Sequence, residues 1–291
     1  MLGFELCRAG DEAVVATPCF PPARDSLVGI GVALRECRLT FDQGFKLTAG
    51  ALEPLLNERT KLVSIASPQN PSGVATRLAE IKAILDLMRR KAPEAHLFVD
   101  ETYRDATYGD SAVPQSAATL DEAIVTGGSV SKAHGAPGLR VGWLTIRDPK
   151  LRERLQTAKM NLVISGSPLD ETLAAAVLEH REKILSVRRD LLKSGLSQVA
   201  NWIDSQKGLI EWVKPDGGAL CCLRLNPDVF DKARVARFWS ALPEAELQIG
   251  DGAWFGESSA VLRIGFGYLP IDVLPAALAA LSKAIEAATR L

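Results

Sequence analysis

Histidine is scarce in this chain, and the three that occur, His96, His134 and His180, are far apart in sequence. This scarcity argues against a Ser-His-Asp triad and against a histidine-based metal centre. The five cysteines form no Cys-x-x-Cys pair, so we predict neither a disulfide framework nor a zinc site, and no bound metal. Free thiols are typical of a reducing compartment, and we therefore expect a cytoplasmic protein.

The chain also lacks a dominant charge and long apolar runs. It has 34 Lys and Arg residues against 35 Asp and Glu residues, so neither nucleic acid nor a membrane is expected as a partner. No apolar run has the length of a membrane span, and the first residues, MLGFELCRAGDE, do not resemble a signal peptide. With 47% hydrophobic residues in 291, we expect a globular protein that acts on a small molecule.

Short apolar runs alternate with amphipathic stretches in the first half of the chain. Each run ends at Pro, Gly, Asn or a charged residue, which is typical of buried strands. The predicted strands cover residues 12–17, 61–67, 96–101, 123–128 and 140–146. A helix is predicted to start at Thr76, with Glu80 behind it, and its apolar residues from Leu78 to Met88 recur at helical spacing. The alternation predicts an α/β fold, a mainly parallel sheet with helices on both faces.

The pattern changes after residue 148. A long helical stretch is predicted over 149–189, interrupted at 165–168. Strands are predicted at 209–213, 219–225 and 260–266, and a last helix at 271–290. We interpret this half as a smaller C-terminal α+β domain and divide the chain into a large domain, 1–180, and a small one, 181–291. Cys221 and Cys222 are predicted to be small core residues.

Polar residues follow three of the predicted strands. Asn70 lies in PQNPSG, Asp100 and Tyr103 in DETY, and Ser129 and Lys132 in SVSK. Each segment also has a simple structural explanation, since Asn-Pro-Ser-Gly is a good turn and DETY suits the start of a helix. In α/β sheets, however, ligands bind beyond the carboxyl ends of the strands, so these side chains are predicted to meet at one edge.

These residues suit a particular ligand, a pyridine aldehyde that carries a phosphate. Such a cofactor needs a lysine for an imine, a carboxylate to keep its ring nitrogen protonated, and cationic or hydroxyl donors for its phosphate. Lys132 and Asp100 meet the first two needs, and Ser129 with Arg140 meets the third.

A competing interpretation is a penicillin-binding or β-lactamase site. Ser129 and Lys132 form Ser-x-x-Lys, and residues 193–195 read KSG. The middle Ser-x-Asn element is absent, and KSG falls within a predicted helix instead of a strand, so we disfavour this interpretation. His134, two residues after Lys132, is predicted to pack or hydrogen-bond locally.

The segments TPCFPP (17–22), PQNPSG, DETY, SVSKAHGAPGLRVGW (129–143) and AVLRIGF (260–266) resemble those of class I/II aminotransferases. These are pyridoxal 5'-phosphate (PLP) enzymes of fold type I, and the resemblance extends from GDEAVVATPCFPP to LRIGF. It implies PLP as the cofactor, Lys132 as the lysine of the internal aldimine and the carrier of the proton, and Asp100 as the partner of the pyridinium nitrogen. Tyr103 and Asn70 are implied to bind the ring hydroxyl, and Phe20 to stack on the ring.

The resemblance also implies the remaining contacts. Ser129, Ser131 and Arg140 correspond to residues that hold the phosphate. Arg263 corresponds to the arginine that binds the substrate α-carboxylate, near which Asn70 also lies. The planar fork of a guanidinium suits a carboxylate better than a lysine does.

The implied function is that of an aminotransferase in amino acid metabolism, a homodimer acting on an α-amino acid and a 2-oxo acid. Two alternatives stay open: another α-carbon PLP enzyme, such as a decarboxylase or lyase, and a non-catalytic, aminotransferase-like binding or regulatory protein. Family members carry a first strand, a Gly-Ala phosphate loop and an N-terminal arm upstream of the segment that matches AGDEAVV. These 291 residues contain no matching stretch, so we expect weak PLP binding and slow or no turnover.

Overall fold

The protein contains two β-sheets. The computed structural model describes residues 1–290. The strands are β1 (Glu12–Thr17), β2 (Ala33–Arg38), β3 (Thr60–Ala66), β4 (His96–Asp100), β5 (Ile124–Ser129), β6 (Gly142–Thr145), β7 (Ile210–Val213), β8 (Leu220–Leu225), β9 (Gly250–Asp251) and β10 (Val261–Gly265). The α-helices are α1 (Leu2–Leu6), α2 (Pro22–Val28), α3 (Ala49–Leu52), α4 (Leu78–Lys91), α5 (Pro149–Val163), α6 (Pro168–Glu179), α7 (Arg181–Ser205), α8 (Lys232–Ala241), α9 (Gly252–Phe255) and α10 (Leu274–Thr289).

The larger sheet has the order β2-β1-β3-β4-β5-β6. Its first five strands pair in parallel, and β6 at the edge runs antiparallel to β5, with Thr126 opposite Thr145. This arrangement confirms the predicted, mainly parallel sheet. Strand β2 was not among the predicted strands, and β6 is shorter than predicted.

Both faces of the larger sheet are covered by helices. Along β1, which is buried throughout, Ala13 and Val15 join an apolar cluster that includes Leu27 of α2. Val14 and Ala16 point to the opposite face and join the cluster that contains the buried residues of α4. This alternation follows from the period of two in a strand, and it confirms the predicted fold class.

The start of α4 differs from the prediction. The helix begins at Leu78, and its N-terminal flank has no side-chain cap. Thr76 instead donates its backbone N–H to Ser67 Oγ at 3.0 Å, and Glu80 Oε1 accepts a hydrogen bond from Ala49 N at 2.6 Å. Thr76 and Glu80, which were predicted to start the helix, therefore hydrogen-bond two neighbouring segments instead. Polar groups near a helix end can bond to tertiary partners as well as to the helix itself.

The second half contains the predicted long helices and a second sheet. The helical stretch is interrupted between Val163 and Pro168, as predicted, but α7 runs on to Ser205. The smaller sheet has the order β7-β8-β10-β9 and is antiparallel throughout. Cys221 and Cys222 of β8 are fully buried, which confirms their prediction as core residues. The KSG triplet lies inside α7, which removes its resemblance to a strand motif.

The described residues also bear on metal and membrane binding. Within 1–290, no group of three or more His, Cys, Asp or Glu side chains is placed to hold a metal ion. No helix in the same range combines the length and the apolar character that a membrane crossing needs. All five cysteines are buried and unpaired, and burial raises the pKa of Cys7, Cys19 and Cys37 to about 11. These thiols are therefore protonated at neutral pH.

Candidate active site

Four adjacent parallel strands bring the predicted residues to one edge of the larger sheet. Phe20 follows β1, Asn70 follows β3, Asp100 ends β4, and Lys132 follows the end of β5. The register aligns these ends, since residue 66 lies opposite Asp100, which in turn lies opposite residue 127. Parallel pairing thus collects residues that are more than 100 positions apart in sequence.

Asp100 lies at an open cavity of about 800 Å³ that is lined mainly by apolar groups. Phe20, 45% exposed, lines the same cavity, as do Gly128 and Trp143. The Asp100 carboxylate accepts one hydrogen bond from the backbone N–H of Thr102, at 2.9 Å from Oδ1. A carboxylate beside apolar walls suits a flat, mostly apolar ring that carries one positive charge.

Tyr103 is buried between the two sheets and stays protonated. Its ring packs so closely on Gly218, at φ +90°, that a Cβ there would lie 3.4 Å from Cδ1. Burial raises the pKa of Tyr103; the positive charge of Arg263 opposes this effect, and the negative charge of Asp100 adds to it. The hydroxyl is therefore a hydrogen-bond donor at neutral pH, in the electrostatic field of both charged groups.

Arg263 connects the smaller sheet to the larger one. It lies in the middle of β10, and its Nη1 donates to Asn70 Oδ1 at 3.2 Å. Its guanidinium carbon also lies 4.7 Å from the ring centre of Phe255. A guanidinium has five N–H donors in a planar fork, so the single bond to Asn70 leaves donors for a carboxylate. The structure thus brings Asn70 and Arg263 together.

The turn after β5 holds Lys132 outward. Val130 and Ala133 on either side of it are buried, whereas Lys132 is exposed. The turn is closed by backbone hydrogen bonds from Gly135 N to Lys132 O, 3.2 Å, and from Ala136 N to Val130 O, 3.1 Å. Among residues 1–290, no hydrogen bond or ion pair engages the Lys132 side chain, so no partner holds it away from a ligand at this edge.

The predicted phosphate ligands are only partly assembled. Ser131 donates its backbone N–H to Ser129 Oγ at 3.2 Å, so the two serines lie together. Ser129 also lines a second cavity, of about 370 Å³. Arg140 is exposed, has φ +53°, and donates from Nη1 to Pro137 O at 2.9 Å within its own turn. Its role at a phosphate stays a prediction.

His134 lies within the lysine turn but points into the protein. It is 5% exposed, and its Nε2 lies 3.5 Å from Asp105 Oδ2. This position agrees with the local role predicted for it.

Two aromatic residues at this site were not predicted. Trp254 packs edge-on against Phe255, with ring centres 4.8 Å apart, and against Phe20 at 5.8 Å. The backbone N–H of Cys19 donates to Phe255 O at 3.0 Å. The only signal in the sequence is the aromatic pair in GAWFG, shortly before the Arg263 strand. Neither its spacing nor its composition indicates a contact with Arg263.

The donor set fits a phosphorylated pyridine aldehyde such as PLP. A lysine, a carboxylate at an apolar cavity and a pair of serine hydroxyls meet the chemical needs of its aldehyde, ring nitrogen and phosphate in turn. Arg140 donates one hydrogen bond within its own turn, which leaves its other N–H donors for a ligand.

Comparison with known proteins identifies the family. The family described as aminotransferase class I and II matches residues 1–281. Capreomycidine synthase of Streptomyces vinaceus is 30% identical over 275 residues, covering 94% of this chain and 68% of the relative. Arginine–pyruvate transaminase of Pseudomonas aeruginosa is 25% identical over 223 residues, covering 76% of this chain and 56% of the relative. The chain thus spans roughly half to two thirds of these relatives' length.

A solved structure shares the fold of this chain. The PLP-dependent aminotransferase of Streptococcus suis superposes with a TM-score of 0.88 at 20% identity, covering 98% of this chain and 73% of the other. The predictions of the family, its fold and its PLP cofactor are confirmed. The chain belongs to the class I and II aminotransferases, a family of PLP-dependent transaminases.

Proposed function

We propose that this chain catalyses transfer of an amino group between an α-amino acid and a 2-oxo acid, with Lys132 as the lysine that binds PLP covalently. The observation that carries the proposal is the hydrogen bond of Arg263 with Asn70, because it brings a cation suited to a carboxylate beside the strand ends where the residues predicted to bind the ring lie. A substrate held there by its α-carboxylate presents its α-carbon towards the same edge of the sheet.

Bound PLP supplies a protonated ring that stabilises negative charge on the substrate α-carbon. The Asp100 carboxylate keeps the proton on the ring nitrogen, because its negative charge at an apolar cavity favours a cation beside it. Tyr103 and Asn70 would hydrogen-bond its ring hydroxyl, and Phe20 would pack on its ring face. Lys132 Nζ would accept the proton from the α-carbon, which requires the unprotonated amine.

The phosphate and the substrate carboxylate are bound by separate donors. We assign Ser129, Ser131 and Arg140 to the phosphate, with the Arg140 side chain turning away from Pro137 to reach it. Arg263 binds the α-carboxylate through the N–H groups that Asn70 leaves free.

Product analysis tests this function. Protein with PLP in excess is mixed with single L-amino acids and pyruvate, and L-alanine, new 2-oxo acids, carbon dioxide and ammonia are measured. L-Arginine belongs in the panel because one relative is named for arginine and pyruvate. We expect slow formation of L-alanine and of the 2-oxo acid that matches the donor.

The same experiment addresses the alternatives. One relative is named a synthase, so a different α-carbon reaction is the second candidate. Release of carbon dioxide or ammonia without alanine would establish a decarboxylase or lyase and contradict amino transfer. PLP binding without turnover of any donor would establish a binding protein.

A homodimer is the assembly that we propose. Six large apolar residues around the α5–α6 connection are between 46% and 73% exposed: Met160, Leu162, Val163, Ile164, Leu169 and Leu173. Such a concentration of exposed apolar side chains is typical of an interaction surface, and a second copy of the chain would cover it.

The domain division and the location are also proposals. A boundary at residues 180 and 181 is supported by the break between α6 and α7, and by the packing of α7 with the smaller sheet. Limited proteolysis that cuts first near His180 would support it. The five unpaired cysteines support a cytoplasmic location, which cell fractionation tests.

A further inference from the structure

Phe255 holds the face of the Arg263 guanidinium. Its ring is fully buried, and the guanidinium carbon lies 4.7 Å from the ring centre, within the range of a cation–π contact. Trp254 packs nearly perpendicular to the ring, and the backbone carbonyl of Phe255 accepts a hydrogen bond from Cys19 N. Burial, this packing and the backbone bond together hold Phe255 against Arg263.

Gly250 provides the space for this contact. It pairs with Arg263 across β9 and β10. A Cβ at this position would lie 3.1 Å from Phe255 Cε2, 3.1 Å from Arg263 Cβ and 3.2 Å from Arg263 Nε. An alanine here would press on both partners and shift them by a few tenths of an ångström, so glycine favours the close contact.

An aromatic ring holds a cation without using its hydrogen-bond donors. Within residues 1–290 Arg263 has no carboxylate partner, whereas an Asp or Glu in place of the ring would occupy the fork that a substrate needs. The ring offers no oxygen or nitrogen acceptor, so its contact with the guanidinium carbon leaves the N–H groups to Asn70 and to a ligand.

We propose that Phe255 is a positioning residue that orients Arg263 for the substrate α-carboxylate, and that Gly250 leaves the room for the contact. The significance for substrate rests on the proposed function; the orientation itself does not. Phe255 acts on binding, and the reacting atoms lie elsewhere.

The orientation is tested without cofactor or substrate. The Arg263 Nε–Hε signal in a ¹⁵N–¹H spectrum is assigned by its loss in Arg263→Lys. We expect a ring-current shift of this signal that disappears in Phe255→Leu and is retained in Phe255→Tyr. Phe238→Leu is the matched control, because Phe238 is equally buried but packs on Trp239 in α8.

The consequence for substrate is tested on PLP-loaded protein with its best amino donor. We expect Phe255→Leu to raise KM about five- to thirtyfold, the factor of one cation–π contact, with little change in kcat. Phe255→Tyr should restore most of the loss, and Gly250→Ala should raise KM by a smaller factor. Phe238→Leu, which also removes buried apolar volume, should leave KM unchanged.

Two results would overturn the proposal: an Arg263 signal that is the same in Phe255→Leu as in the wild type, or equal KM values for Phe255→Leu and Phe238→Leu. If Phe255→Leu does not fold, Gly250→Ala decides, through the same signal and the same KM. Absence of turnover in the wild type would refute the proposed function alone, since the spectral test needs no reaction.

Discussion

Replacing Asn70 by aspartate should weaken binding of the substrate carboxylate to Arg263 while Arg263 itself stays in place. Asn70 Oδ1 lies 3.2 Å from Arg263 Nη1, so Asn70→Asp places a negative charge where a neutral acceptor now lies. At 3.2 Å, two unit charges attract by about 5 kcal/mol at an effective dielectric constant of about 20, and desolvation offsets part of this. A hydrogen bond to a charged group contributes about 1.5–3 kcal/mol net, so the new carboxylate should raise KM about ten- to hundredfold.

The assay is steady-state transamination with variation of the amino donor. Asn70→Ala, which removes the acceptor but leaves the guanidinium free, should raise KM less than Asn70→Asp does. Asn201→Asp adds the same charge at an exposed position of α7 and should leave KM unchanged. Equal or tighter donor binding by Asn70→Asp than by Asn70→Ala would refute the assignment of Arg263 to the carboxylate.

Three further predictions concern the ring, the fold and the assembly. Asp100→Asn should keep covalent PLP binding, seen by absorbance, but lower kcat about a hundredfold or more, and near-normal turnover would contradict its role. Glu12 is 3% exposed, and its hydrogen bond from Asn57 at 2.7 Å, with Arg35 also 2.7 Å away, holds its pKa below the ordinary value. Because the pKa of Glu12 is lower in the folded than in the unfolded state, its charge stabilises the fold above the ordinary carboxyl pKa, and this stabilisation is lost as pH falls through the folded-state pKa. Glu12→Gln should lower the free energy of unfolding by about 1–3 kcal/mol, measured with urea at pH 7. The difference in unfolding free energy between variant and wild type should disappear in acid. Leu169→Glu should shift the sedimentation coefficient from dimer to monomer, and an unchanged value would exclude this surface from the interface.

The larger sheet was predictable wherever strands are buried on both faces. Such strands read as continuous apolar runs, as in EAVVAT. Strand β2 escaped prediction because Arg35, Glu36 and Arg38 interrupt its run. It lies at the edge of the sheet, where one side of the strand has no neighbour and charged side chains are tolerated.

The site was predictable as far as it depends on strand ends. Asn70, Asp100 and Lys132 follow from the rule that parallel strands deliver their carboxyl ends to one edge. The contact of Phe255 with Arg263 joins a short helix to a strand through side-chain packing, and it has no sequence period. The direction of the Arg140 side chain depends on a local hydrogen bond in a left-handed turn, which composition does not specify.

Reduction of PLP-loaded protein with borohydride, followed by peptide mapping, identifies the lysine that binds the cofactor. We expect the reduced cofactor to be attached to Lys132 and Lys132→Ala to prevent the labelling. Lys159 is the sharpest internal rival, because it lines the same cavity as Asp100. Label on Lys159, or on any lysine other than Lys132, would contradict the account.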